Sequence, residues 1–362
     1  MKLDIKKSDD VWIYGSGTFA ESIISKLENM SFVISGVIDH MNVGKKITSS
    51  RSSYTVKSLS EVSLVPESQV VLAICNLNGN IKNISELFEP DIRVTSPVEL
   101  FQMFSEQGID SENYWLSTDF ELFSRDVLDI QKFRKKLSDD ESKDLFDGIL
   151  NYRRYGQIID LPTPRPLKEQ YLAKEYSTPP KDLRVIELGA CQGENLGHFL
   201  DAGHSFIDGF LFEPDASNLK VLRDRLSLLN LTSLECHQLG AWNESATLKF
   251  QTSGDAAAAI SNDGDISIDV VALDDFIPTE YSPNFIKMDI EGAEMEALRG
   301  MTALIENHHP HLAISVYHKS SDLWTIGNFL HQRFPGSYSF YLRMYGEQTF
   351  DTILYAVPSS SK

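Results

Sequence analysis

Short apolar runs recur along this chain, separated by stretches long enough for an amphipathic helix, which is the pattern of a mostly parallel sheet covered on both faces. The first run, Val11-Trp12-Ile13-Tyr14, turns through Gly15-Ser16-Gly17 into a segment with Ile23, Ile24 and Leu27 on one face. A second strand over Phe32 to Ile38 ends at Asp39, and Val70 to Ile74 is a further buried-strand candidate. This β-α-β unit is expected to close near Glu99. From Val98 to Asp182 the pattern turns helical, with Ser138 as a predicted helix cap and Glu141 three residues on. The prolines at 162, 164 and 166 mark a boundary or crossing segment.

Alternation resumes at Arg184-Val185-Ile186-Glu187-Leu188-Gly189. Strands are predicted at Phe210 to Phe212, Leu234 to Ala241, Phe285 to Met288, Leu312 to Val316, Tyr338 to Leu342 and Thr352 to Val357. Helices are expected over Ala216 to Leu229 and Ala293 to Leu304. Ala246 to Phe250 and Ile266 to Leu273 alternate as an inserted hairpin. The last strands follow too closely for a long crossover helix, so an antiparallel edge is expected. The chain therefore reads as an α/β fold of two Rossmann-like domains, 1–100 and 183–362, joined by a helical bridge over 101–182.

Both units carry a glycine turn after the first strand and an acid at the end of the second. The turns are Gly15-x-Gly17 and Gly189-x-x-x-Gly193, and Asp39 and Glu213 each stand roughly 20 residues further on. Such an acid can accept both ribose hydroxyls of a nucleotide. The residue two before the first glycine separates the units: it is Ile13 in one and Glu187 in the other. A carboxylate there repels a pyrophosphate but suits a ligand bearing an ammonium and a sulfonium, as S-adenosylmethionine does. The second turn reads as the sulfonium site. Gly15, Gly17 and Asp39 are left as a second site for a dinucleotide or nucleotide sugar.

The net charge of −19 excludes nucleic acid as an expected partner, since the phosphate backbone would be repelled. Three widely spaced cysteines form no paired motif and fit a reducing compartment. With no apolar run long enough to span a membrane and a charged start to the chain, the expectation is a cytoplasmic protein. Oligomeric state is left open.

The segment Lys287-Met288-Asp289-Ile290-Glu291-Gly292-Ala293-Glu294 resembles the signature of the FkbM family of methyltransferases. The resemblance extends through Glu187-Leu188-Gly189-Ala190, Phe212-Glu213-Pro214, Val271 to Asp274, Leu298-Arg299-Gly300 and Ser315 to Lys319, to Tyr341-Leu342-Arg343 and Ile353 to Ala356. It covers about Leu183 to Pro358. It implies a class I methyltransferase sheet and O-methyl transfer from S-adenosylmethionine to a hydroxyl of a small-molecule or glycan acceptor, as of a sugar or polyketide. Glu187 departs from the aspartate common at its position. The same resemblance implies that Gly240 and Ala241 lie by the cofactor's adenosine and that Tyr171 covers it. Pro214 would aim Glu213.

The sheet order expected of an α/β domain brings Asp289, Glu291 and His318 to one edge, where ligands bind. His318 has the pKa of a general base near neutrality, with Asp289 or Glu291 orienting it or the acceptor hydroxyl. In a second version, not the favoured one, the three residues hold a divalent cation such as magnesium or manganese. The rival from another class is an NAD(P)-dependent oxidoreductase, or a nucleotide-sugar-binding protein, centred on Gly15, Gly17 and Asp39.

Overall fold

The structure, a computed structural model, describes residues 10–109, 121–172, 179–252, 258–260 and 266–359. It has a mixed α/β architecture with three sheets, divided between two compact units. The first unit comprises Met1–Arg125, Leu145–Pro164 and Gly346–Phe350. The second comprises Asp126–Asp144, Arg165–Tyr345 and Asp351–Lys362.

In the first unit, strands β1 (Val11–Tyr14), β2 (Ile34–Ile38), β3 (Lys46–Thr48), β4 (Ser53–Lys57), β5 (Gln69–Leu72) and β6 (Arg93–Thr95) form a sheet of order β3-β4-β2-β1-β5-β6. Only β3 runs antiparallel to its neighbour. Strands β1 and β5, neighbours inside the sheet, are wholly buried, which is why Val11–Tyr14 and the run from Val70 to Leu72 are continuously apolar. The β3–β4 pair is absent from the apolar pattern because its residues are mostly exposed.

The expected boundary at residue 100 falls inside helix Pro97–Glu106. That helix opens with a capping box between Ser96 and Glu99 and buries Val98, Leu100, Phe101 and Phe104 in the core of the first unit. The stretch 101–182 is likewise not a body of its own, because its described parts are shared between the two units. Its helix Asp140–Tyr155 is capped by Asp139, which accepts the Ser142 N–H at 2.8 Å, and not by Ser138. The Ser138 hydroxyl instead accepts the N–H of Phe340 at 3.0 Å.

The second unit holds β7 (Asp182–Leu188), β8 (Ser205–Phe212), β9 (Leu234–His237), β10 (Gly240–Ala241), β11 (Ala246–Thr252), β12 (Ala258–Ile260), β13 (Ile266–Val271), β14 (Phe285–Met288), β15 (His311–Ser315), β16 (Tyr338–Met344) and β17 (Thr352–Pro358). Its main sheet has the order β16-β17-β15-β14-β7-β8-β9. The reversed strand is β17, antiparallel to both neighbours and one place in from the edge. The predicted strand over Leu234 to Ala241 splits: β9 stays in the main sheet and β10 joins β13, β11 and β12 in a four-stranded sheet. The expected hairpin is present as the β11–β13 antiparallel pair, with Leu273 already in a short helix. The long helix expected from Ala293 breaks into Glu294–Arg299 and Thr302–His308. Gly300 at the break lies so close to the backbone of Trp242 that a Cβ there would stand 2.0 Å from its carbonyl oxygen.

Gly189 carries the tightest approach at the strand ends. It has φ +72°, and a Cβ on it would lie 1.8 Å from the Asp289 carbonyl oxygen. Replacing Gly189 by Ala is therefore expected to destabilise the second unit by more than about 2 kcal/mol. Gly197, within helix Glu194–Asp201, has nothing within 4 Å of such a Cβ. Gly197→Ala should be neutral or stabilising by up to about 1 kcal/mol, with the thermal midpoint unchanged or raised. Thermal unfolding of the two variants beside wild type checks the contrast.

Candidate active site

The carboxyl ends of β7, β14 and β15 lie side by side, because β14 pairs in parallel with β7 on one side and β15 on the other. Each strand delivers a polar group to that edge: Glu187 and the glycine turn from β7, Asp289 after β14, and Tyr317 and His318 after β15.

The turn after β7 is held by its neighbours. The N–H groups of Gly189 and Ala190 both donate to the Phe212 carbonyl. Gly193, at φ +73°, starts helix Glu194–Asp201. Glu213 is 6% exposed, and its two oxygens accept the N–H of Cys191 and of Asp215, each at 2.8 Å. Burial raises its pKa, against those two hydrogen bonds. Pro214 places Asp215 at the next helix, which Asp215 caps by accepting from the N–H groups of Ser217 and Asn218. The acid and the glycine turn are thus hydrogen-bonded to one another. Gly240 and Ala241 lie in the four-stranded sheet, opposite Val270 and Val271. Tyr171 is 1% exposed at φ +67°, and its N–H donates to the Tyr355 hydroxyl at 2.8 Å.

Glu187 does not present a free charge. Lys287 stands opposite it in the β7–β14 register, with Nζ 3.0 Å from Glu187 Oε1, and donates to the Gly189 carbonyl at 2.9 Å. Both side chains are 5% exposed. The Lys287 ammonium lies 5.5 Å from the centre of the Tyr171 ring. A lysine within an otherwise apolar four-residue strand was the available sign that something buried must neutralise it.

His318 sits among three carboxylates. Nδ1 is 2.9 Å from Glu294 Oε1, and Nε2 is 3.5 Å from both Asp289 Oδ1 and Glu291 Oε2. Glu294, fully buried, also accepts the Ile290 N–H at 3.0 Å. Burial alone would lower the histidine pKa, but Glu294, its hydrogen bond, Asp289 and Glu291 together push it up to about 10. The ring is therefore an imidazolium at neutral pH. The hydrogen bond that orients the ring comes from Glu294 rather than from Asp289 or Glu291, and the surrounding carboxylates favour its protonated form. Glu291 is the group poised near neutrality. Desolvation within the carboxylate cluster, with Asp289 and Glu294, pushes its pKa up to about 7 against the pull of His318, although 42% of the side chain still meets solvent and screens part of that shift. Its backbone is left-handed, at φ +54°, a conformation uncommon outside glycine. Asp351, which no sequence pattern singled out, is pushed up to about 6 by burial and by the nearby Asp289. It lies beyond β16 in a turn whose sequence carries no motif.

Among the described residues, Asp289, Glu294 and His318 can bring one ligand atom each within 4.8 Å of one another, as a metal site requires. Glu294 Oε1 serves both His318 and the Ile290 N–H, while Glu294 Oε2, Asp289 Oδ1 and His318 Nε2 are buried without a hydrogen-bond partner.

In the first unit, Asp39 does meet its glycine turn: it accepts from the Ser16 hydroxyl and from the Met41 N–H at 2.8 Å. Asn42 donates to the same hydroxyl at 2.8 Å. Gly15 is at φ +119°, with a Cβ position 2.6 Å from the Ala73 carbonyl oxygen. Gly17 is open and only precedes helix Thr18–Asn29. His311 opens β15, where burial lowers its pKa.

The His318 pair has a signed effect on stability. Its contribution is fully present below the histidine's ordinary pKa of 6.5 and is lost as pH rises toward about 10, where the folded ring also gives up its proton. Denaturation midpoints of wild type should therefore fall relative to His318→Gln between pH 6.5 and 10. Parallel curves would contradict the pairing.

Residues 187–344 match the methyltransferase FkbM domain. The curated "Methyltransferase 1" of Beauveria bassiana is 25% identical over 166 residues, covering 37% of this chain; the match spans 65% of that relative's length. The crystal structure of a methyltransferase FkbM from Methylobacillus flagellatus KT has the same fold, with TM-score 0.75 at 24% identity, covering 96% of this chain and 90% of that one. The matched domain and both of these relatives are methyltransferases, and none is an oxidoreductase. No helix among the described residues is long and apolar enough to cross a membrane. The second unit of this chain thus carries, over residues 187–344, a methyltransferase FkbM domain.

Proposed function

We propose that this chain is an S-adenosylmethionine-dependent O-methyltransferase that modifies a hydroxyl of a sugar or glycan intermediate. The observation that carries the reading is the meeting, on adjacent parallel strands, of a glycine turn bonded to a ribose-type acid and a carboxylate–imidazolium cluster. Ligands of open α/β sheets bind at this edge.

The residues fit such a ligand. Each Glu213 oxygen accepts one backbone N–H and keeps a lone pair for a ribose hydroxyl. Asp289 Oδ1 and His318 Nε2 are buried and have no hydrogen-bond partner. Buried polar atoms left in this way are costly unless a ligand or water completes them. When bound, S-adenosylmethionine supplies an electrophilic methyl group on a positively charged sulfur. With that group in place, Glu291 would take the proton of an acceptor hydroxyl lined up with the methyl carbon. A base near pH 7 is well matched to that transfer. Glu294 fixes the ring plane of His318, and His318 holds Asp289 and Glu291 in place by charge.

The first unit is read as a Rossmann-like module with a nucleotide or nucleotide-sugar site at Gly15, Gly17 and Asp39. A reducing, cytoplasmic setting belongs to this reading, since Cys75, Cys191 and Cys236 are all free. The acidity of the chain disfavours nucleic acid as the acceptor.

Calorimetric titration with S-adenosylmethionine should give micromolar binding that Glu213→Ala weakens at least about tenfold. Wild type that binds a nicotinamide cofactor instead would overturn the assignment. With labelled cosubstrate and a panel of sugar acceptors, Glu291→Gln should lower kcat by about 10²- to 10⁴-fold with cosubstrate affinity unchanged. The wild-type rate should rise with pH through about 7, as Glu291 loses its proton.

A further inference from the structure

Lys287 is a lysine almost wholly removed from water in the middle of a sheet. It is bonded to two parts of the same turn: Glu187 Oε1 at 3.0 Å and the Gly189 carbonyl at 2.9 Å. A buried ion pair is a poor stabilising device, since apolar residues of similar volume often do as well or better. Its place at the glycine turn, with Asp289 two residues on, therefore asks for a reason other than stability. Buried charges act over longer distances than exposed ones, because neither solvent nor salt screens them well.

We infer that Lys287 is the internal counter-ion that sets how strongly the turn after β7 prefers a sulfonium cosubstrate over the neutral thioether left when its methyl group has gone. The inference rests on the S-adenosylmethionine reading above and deepens it. S-Adenosylmethionine and S-adenosylhomocysteine share the adenosine and the zwitterionic amino-acid end; they differ by one methyl group and one positive charge. Glu187 alone would draw the charged form, and Lys287 opposes that field at a separation of 3.0 Å from its partner. The balance holds a pocket that accepts the cation without being selective enough to expel or trap either form. Lys287 is thus a positioning and specificity residue, acting through Glu187 and Gly189 rather than by touching the reacting atoms.

The two members of the pair then make opposite predictions. Lys287→Met leaves Glu187 unopposed, so the ratio of the two dissociation constants should move about tenfold toward S-adenosylmethionine. Glu187→Gln leaves Lys287 unopposed, and the ratio should move by a similar factor toward S-adenosylhomocysteine. The double variant should return close to wild type. A merely structural role would weaken both ligands together and leave the ratio where it was.

Calorimetry of the full chain with each ligand measures the ratio, and thermal unfolding shows which variants are folded. Should Lys287→Met not fold, the near-isosteric Glu187→Gln carries the test alone. An unchanged ratio, or shifts of the same sign in both single variants, overturns the inference while leaving the cosubstrate assignment standing. Wild type that binds neither ligand overturns both.

Discussion

A lysine and a glutamate face each other at the same level of two central, parallel strands, and the working edge of the second unit is arranged around that pair. Parallel strands covered on both faces are ordinarily apolar throughout, and β14 obeys this at Phe285, Ile286 and Met288. Lys287 breaks the rule because Glu187 lies opposite it on β7. By bonding the Gly189 carbonyl as well, the lysine ties the strand end to the turn that follows. The turn in turn packs its glycine against the Asp289 carbonyl, closer than any side chain permits. Removing either charge would leave the other buried without a partner, which is far more costly than removing both.

A second charged pair stands one strand over, and it obeys the same logic. Glu294 has no exposure, and only a positive partner makes an ionised carboxylate tolerable there. His318 supplies that charge and so is kept protonated. Its far nitrogen then faces Asp289 and Glu291, which compete for one proton donor. The competition, with burial, is what lifts Glu291 toward neutrality. The electrostatics of this edge are thus set by a shortage of positive charge.

Much of this was legible in the residues. Buried strands read as largely apolar runs, so β1, β5, β14, β15 and β17 could be placed from the pattern. The glycine turns, the acids beyond them and the Asp215 cap follow from local chemistry that depends on few neighbours. What escaped depends on pairing across long sequence distances. The β3–β4 pair has too little burial to imprint alternation. Asp139 took the cap expected of Ser138 because that hydroxyl is engaged by Phe340, about 200 residues away in the chain. Lys287 and Glu294 were visible as residues, but their partners are set by strand register and helix placement. The helical stretch before residue 183 is shared between two units, which its own composition does not reveal.

The central claim is that the second glycine turn, and not the first, holds the cosubstrate. Hydrogen–deuterium exchange of the intact chain with and without S-adenosylmethionine tests it most directly. The account predicts slowed exchange in peptides spanning Glu187 to Gly193 and Phe212 to Asp215, with those spanning Gly15 to Asp39 unaltered. Protection confined to the Gly15 to Asp39 peptides would contradict it.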